Sequence, residues 1–120
     1  MVEDPGRHAP VSDLAALADA YFAGVTAHDP DAVQACFAHE AELVNGTTTL
    51  RGAEAIGDFY RQSITVPDLK PTPGPYVVDG NRLAVEIDLF VAGNHIHVAD
   101  FFTFEHDKIT RLVIYGLPTG

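Results

Sequence analysis

Leu83 to Phe104 read LAVEIDLFVAGNHIHVADFFTF. Apolar and polar residues alternate on both sides of Ala92-Gly93-Asn94, the period-2 pattern of two half-buried strands joined by a tight turn. If that turn closes a regular hairpin, Val85, Ile87 and Leu89 share a face with Ile96, Val98 and Asp100. The opposite face carries Glu86, Asp88 and Phe90 against His95, His97 and Ala99. A one-residue slip in pairing leaves unchanged which residues of a single strand share a face. Asp100 is therefore a carboxyl on an otherwise apolar face, followed by Phe101 and Phe102. An unpaired carboxylate is too costly to bury, so this one must be paired, hydrogen-bonded or protonated. Two roles fit: a structural Asp at a bulge or loose backbone N–H, or a site carboxyl of perturbed acidity.

More strands flank this hairpin. Pro75-Tyr76-Val77-Val78 precedes the turn Asp79-Gly80-Asn81, and Ile109–Tyr115 follows the turn Glu105 to Lys108, with Gly116-Leu117-Pro118 as its stop. Pro67, Pro71, Pro73 and Pro75 exclude a regular helix from Thr65 to Pro75. Towards the N-terminus the period changes. Ser12 is a candidate N-cap, with Asp13 near the positive helix end, for a helix whose apolar stripe is Leu14, Leu17, Ala18, Tyr21 and Val25. Asp29-Pro30-Asp31 starts a second helix with Ala32, Val33, Cys36 and Phe37 as its buried face. Leu43-Val44-Asn45 is a short strand running into Gly46-Thr47-Thr48-Thr49, and Gly52 precedes a third helix bearing Ile56, Phe59 and Tyr60. Helices first and hairpin-connected strands after argue for α+β, with helices packed on one face of an antiparallel sheet. The expected organisation is a flexible tail over 1–11 and a single domain over 12–120.

Composition limits the partners. The 120 residues carry 7 Lys plus Arg against 17 Asp plus Glu, a net charge of −10, with 47% hydrophobic residues. That balance counts against nucleic acid and against an anionic membrane surface, both of which need clustered Lys and Arg. No apolar stretch approaches the roughly 20 residues of a membrane span, and Met1 to Pro10 lack the basic start and apolar run of a signal peptide. Cys36 is the single cysteine, so no intramolecular disulfide can form, and a reducing, cytoplasmic location is expected.

Taken in order, the segments resemble the NTF2-like superfamily, in particular ketosteroid isomerases and SnoaL-like polyketide cyclases. The resemblance runs from about Leu14 to Gly116. It is carried by Tyr21-Phe22-Ala23, His28-Asp29-Pro30-Asp31, the FAxxAxLxN-G pattern from Phe37 to Gly46, Gly52 with Ile56, Phe59 and Tyr60, and Val98 to Phe104 with Lys108-Ile109-Thr110. It implies a curved antiparallel sheet wrapped around three N-terminal helices to enclose a hydrophobic pocket. A homodimer through the outer sheet face is implied as well.

For the site, the resemblance implies an oxyanion hole of Tyr21 and a protonated Asp100, with Tyr60 supporting Tyr21. A carboxylic acid kept neutral by an apolar site is known in this family. Asn45 stands where the isomerases carry their catalytic Asp, and a carboxamide cannot take a proton from carbon at neutral pH. In SnoaL-like cyclases the long-strand Asp is itself the acid/base, a role that falls on Asp100, with Asn45 orienting substrate or water. The expected pocket wall is Phe37, Leu43, Phe59, Val85, Ile87, Val98 and Phe102. The implied activity is enol and proton-transfer chemistry on a small hydrophobic cyclic carbonyl compound, with no cofactor and no metal. The alternative is a non-catalytic binding domain that lost its base at Asn45. Epoxide-hydrolase chemistry is a lesser alternative, because the final-strand Asp it needs falls on Ile114 and Glu86-Ile87-Asp88 offers no Arg.

Some residues keep two readings. Tyr21 and Tyr60 also fit a plain core, and Asn45 also fits a turn. His95 and His97, facing Glu86 and Asp88, can ligate zinc or form cross-strand pairs that are solvated or face a dimer partner. Cys36 is expected to be inert, and His28, His39 and His106 to be exposed.

Overall fold

The alternation of the central hairpin is realised residue for residue. The computed structural model describes residues 11–64, 69–91 and 93–117, with side chains from Leu14 onward. These residues form helices α1 (Val11–Thr26), α2 (Pro30–Ala35) and α3 (Ala53–Ser63). The strands are β1 (Phe37–Asn45), β2 (Thr48–Arg51), β3 (Lys70–Pro73), β4 (Val77–Asp79), β5 (Arg82–Val91), β6 (Asn94–Glu105) and β7 (Lys108–Leu117). In β5–β6, Val85 pairs with Asp100, Ile87 with Val98 and Leu89 with Ile96, while Glu86, Asp88 and Phe90 meet Ala99, His97 and His95. Val91 pairs with Asn94, and Gly93 takes a φ of 83° that a side chain would resist. Ala92 of that turn lies outside the described residues.

The sheet runs β2-β1-β7-β6-β5-β3, with β4 also paired to β5. Its pairs are antiparallel except β1 with β7, which run parallel. Register shifts between Phe37 and Glu42 and between Thr103 and Phe104 mark the irregularities that bend strands and raise local twist. The curved sheet holds the helices against one face. The core joins Phe22, Val25, Val33, Leu43, Ile56, Leu83 and Leu112, all buried. Among the described residues, no helix is long and apolar enough to cross a membrane.

Several boundaries differ from expectation. Val11 is already helical, one residue before the expected Ser12 cap, and the side chains of Ser12 and Asp13 are outside the described set, as are residues 1–10 of the expected tail. α2 stops at Ala35, so Cys36 and Phe37 do not belong to its face. Cys36 is the C-cap, and Phe37 opens β1 by pairing with Ile109. The stop has a physical cause. Lys108 Nζ donates to the Ala35 carbonyl at 2.6 Å and the Ile109 N–H donates to the Cys36 carbonyl at 2.9 Å, so the start of β7 satisfies the helix end. At the other end Asp29 caps as expected, accepting the Ala32 N–H at 3.1 Å with Pro30 in the first turn.

β1 is longer than the expected Leu43–Asn45, and Thr48–Thr49, expected in a turn, form β2 with Arg51. Within the proline-rich segment, residues 65–68 are undescribed, whereas Lys70–Pro73 form β3 at the sheet edge, where a missing N–H is tolerated. Gly116 and Leu117 continue β7 rather than stopping it, and Pro118 is undescribed. Tyr76 OH donates to Asp19 Oδ1 and ties the segment before β4 to α1.

α1 and α2 approach closely at Gly24. A Cβ there would lie 2.9 Å from Val33 Cγ2 and 3.3 Å from the Val33 nitrogen, and Val33 is fully buried and stiff at χ1. Gly24→Ala gains about 1 kcal/mol of helix propensity but overpacks the contact at about 1–3 kcal/mol. The expected outcome is a net loss, read as a Tm lowered by a few degrees in thermal melts. An unchanged or raised Tm would show that α2 can retreat freely.

Candidate functional site

The inward parity of β6 carries Asp100 into the core, where the residue is 3% exposed. Its cross-strand neighbours are Val85 on β5 and Ile114 on β7, both apolar. Oδ1 is enclosed and has no hydrogen-bond partner among the described residues. Burial alone pushes the Asp100 carboxyl from 3.8 up to about 7. A group so placed is divided between acid and base near neutral pH.

Two phenols complete the polar part. Tyr21 from α1 and Tyr60 from α3 are 39 positions apart, and their hydroxyls meet at 2.5 Å in the core. Tyr21 is wedged edge-on against Phe22, Phe37 and Phe102, with centroids 5.0, 6.1 and 5.5 Å away. Phe102 in turn stacks on Phe104 at 5.7 Å. Burial raises both phenols above their ordinary range, and the neighbouring Asp100 adds to the effect, so both are protonated at neutral pH. Two hydroxyls carry two protons, and the mutual hydrogen bond uses one. The other is free for a ligand oxygen.

Tyr21, Tyr60 and Asp100 line one cavity of about 320 Å³, together with Asn45. Asn45, at the end of β1, is solvent-exposed and stands at the rim. Asn45 pairs with Ile114 and Ile114 pairs with Asp100, so the amide and the carboxyl lie two strands apart, roughly 10 Å at the usual interstrand spacing. The four residues singled out from the sequence thus share one space, with Ile114 between its two strand-borne polar groups.

Of the expected wall, Phe59, Ile87 and Val98 line the cavity. Phe37, Leu43, Val85 and Phe102 do not; they are buried core beneath it. The remaining wall is Phe22, Val25, Ser63, Leu69, Pro71, Leu89, Val91, Ile96 and Ile114. Leu89 and Ile96 could have been found from the sequence, since alternation puts them on the Asp100 face. Ser63, whose hydroxyl donates to the Phe59 carbonyl at 2.6 Å, and Leu69 carried no signal. Among the described residues, no Lys, Arg or His lines the cavity.

The outer sheet face holds the histidines. His95 Nε2 lies 3.0 Å from Asp88, His97 Nε2 lies 3.2 Å from Glu86, and His97 Nδ1 lies 3.4 Å from Asp88. These are cross-strand pairs, and no group of three or more His, Cys, Asp or Glu among the described residues could hold a metal ion. Phe90, Phe101 and Tyr115 are exposed on this same face, where the expected dimer contact would lie. Cys36 is half-buried, with its thiol pushed up by burial against the opposing pull of Lys108. His28, His39 and His106 are exposed.

Comparison with known proteins agrees with this layout. The sequence profile of a SnoaL-like domain matches residues 18–112. No protein of curated function matches the chain by sequence. A candidate polyketide cyclase from Sinorhizobium meliloti superposes with a TM-score of 0.76 at 23% identity, over 82% of this chain and 93% of that one. A candidate ketosteroid isomerase from Kribbella flavida gives a TM-score of 0.81 at 17% identity, over 91% and 81% of the two chains. An NTF2-like protein of unknown function from Mesorhizobium loti gives 0.81 at 17% identity, over 98% of each. At these identities the likeness concerns the fold alone.

The raised pKa of Asp100 has a consequence for stability. Between the unfolded value near 4 and the folded value of about 7, the native state holds a proton that the unfolded state has released. Native stability therefore falls as pH rises through that window and is level outside it. At ~1.4 kcal/mol per unit, the contribution is on the order of 4 kcal/mol. Asp100→Asn removes it. Denaturant titrations from pH 4 to 8 are expected to show wild type losing stability relative to the variant up to about pH 7. Parallel curves would mean that Asp100 is ionised throughout.

Proposed function

This chain belongs to the SnoaL-like domain family, and we propose that it is an enzyme moving protons through an enol intermediate of a small hydrophobic carbonyl compound, steroid-like or polyketide-like. The single observation that carries this reading is the buried Asp100 carboxyl, its Oδ1 without a partner among the described residues, sharing a largely apolar cavity with the Tyr21–Tyr60 pair. In the proposed reaction the substrate carbonyl oxygen accepts the spare phenolic proton as a hydrogen bond. The Asp100 carboxylate takes the proton from the carbon next to the carbonyl, and the C–H electron pair moves onto oxygen as the enolate. The enclosed phenols stabilise that oxygen without solvent reorganisation. Asp100, now neutral, returns its proton to carbon, and the electrons fall back. Asn45 orients the substrate from the rim.

Asp100 suits this role because a base is most effective when its pKa lies near the working pH. The apolar wall suits a hydrophobic ring system, and the absence of a lining cation among the described residues disfavours an anionic substrate. The second reading, a binding domain without catalysis, draws on Asn45, which cannot act as a base. The two differ in what Asp100 does. A base works as carboxylate, whereas a pure hydrogen-bond donor works as acid.

Solvent deuterium incorporation into a panel of cyclic enones and β-keto compounds separates them. Exchange is expected to rise with pH through about 7 and to vanish in Asp100→Asn with binding retained. Tyr21→Phe should slow it by roughly 10²–10³-fold. No exchange with any tightly bound ligand would leave only the binding domain. Separately, Asn45→Asp is expected to create measurable isomerisation of a β,γ-unsaturated ketosteroid. A folded, steroid-binding variant without that activity would mean that residue 45 does not face the substrate carbon.

A further inference from the structure

The carboxyl of Asp100 poses a recognition problem that a ligand carrying only acceptors leaves unsolved. Its Oδ1 is enclosed without a donor, and the cavity wall supplies no cationic side chain from any surrounding element among the described residues. The groups facing it are Tyr21 of α1, Tyr60 of α3, Val85 of β5, Ile114 of β7 and, one strand further, Asn45 of β1. Only the phenols among these titrate, and they are neutral at physiological pH. Once ionised, the carboxyl lacks a compensating cation, and none lines the wall among the described residues.

The rest of the cavity fits such a partner. Tyr21, Phe22, Phe59 and Tyr60 contribute four aromatic rings, whose faces attract organic cations, and Leu89, Val91 and Ile96 add an aliphatic lining. We propose that the cavity binds compact hydrophobic ammonium ions, with the ammonium N–H donating to the Asp100 carboxyl and the hydrocarbon body filling the apolar wall. An ammonium ion brings the compensating charge with it, so the carboxylate need not be buried alone. The proposal stands whether or not Asp100 moves protons to carbon.

Matched probes test it. 1-Adamantylamine and 1-adamantanol share one hydrocarbon cage and differ in carrying an ammonium or a hydroxyl. By calorimetry at pH 8, with Asp100 ionised and the amine protonated, the amine is expected to bind at least tenfold more tightly than the alcohol. The preference should shrink as pH falls below about 6, where Asp100 accepts a proton, and it should vanish in Asp100→Asn. Binding near pH 7 should also release protons, seen as a dependence of the observed heat on the buffer's ionisation enthalpy. Equal affinity for the two probes would overturn the proposal. An amine preference that survives Asp100→Asn would also overturn it, by assigning the cation to the exposed Glu86 and Asp88 on the outer face.

Discussion

The alternation of side chains along β6 is the constraint on which the rest depends. With Asp100 inward, Phe101 must be outward and Phe102 inward again, and the pairing with β5 extends this parity across the hairpin. The inward set builds the cavity floor and the wedge behind it. The outward set makes the exposed aromatic and histidine-bearing face. Neither could be altered by a one-residue shift without exchanging the two. The opposite placement of the acidic cross-strand pairs and the unpartnered carboxyl is thus one geometric fact.

Holding a buried carboxyl whose Oδ1 has no partner among the described residues costs free energy, which packing elsewhere must offset. The packing is specific. Phe104 stacks on Phe102, Phe102 braces Tyr21, and Tyr21 is hydrogen-bonded to Tyr60, so an aromatic train runs from the far end of β6 to the cavity. Removing any ring would loosen the phenol that the site depends on. The stability given up at Asp100 is small beside the apolar surface buried around it, and it leaves a carboxyl that changes protonation near neutral pH, as a salt-bridged one would not.

Much of this was legible in the sequence, and the reasons differ by residue. Val85, Ile87, Val98 and Asp100 could be assigned to one face because strand parity is a local property. Asp29 and Pro30 marked a helix start by chemistry that acts within one turn. The extent of β1 was not legible. Phe37 continues the apolar spacing of α2, and what makes it a strand residue is pairing with Ile109, far along the chain. Depth was equally hidden. Phe37, Leu43, Val85 and Phe102 are inward-facing, but alternation cannot say where the helices fill the concave face and where they leave it open. The meeting of Tyr21 and Tyr60 rested on the family resemblance, since a helical stripe alone cannot distinguish a core phenol from a paired one.

The hydroxyl pair holds a final implication. With one of its two protons committed internally, it can satisfy a single lone pair of a guest. A carboxylate guest has two oxygens to satisfy and would set its own negative charge near Asp100. At that end the cavity therefore offers one hydrogen bond and, among the described residues, no positive charge: a fit for a lone acceptor atom and a misfit for an acid.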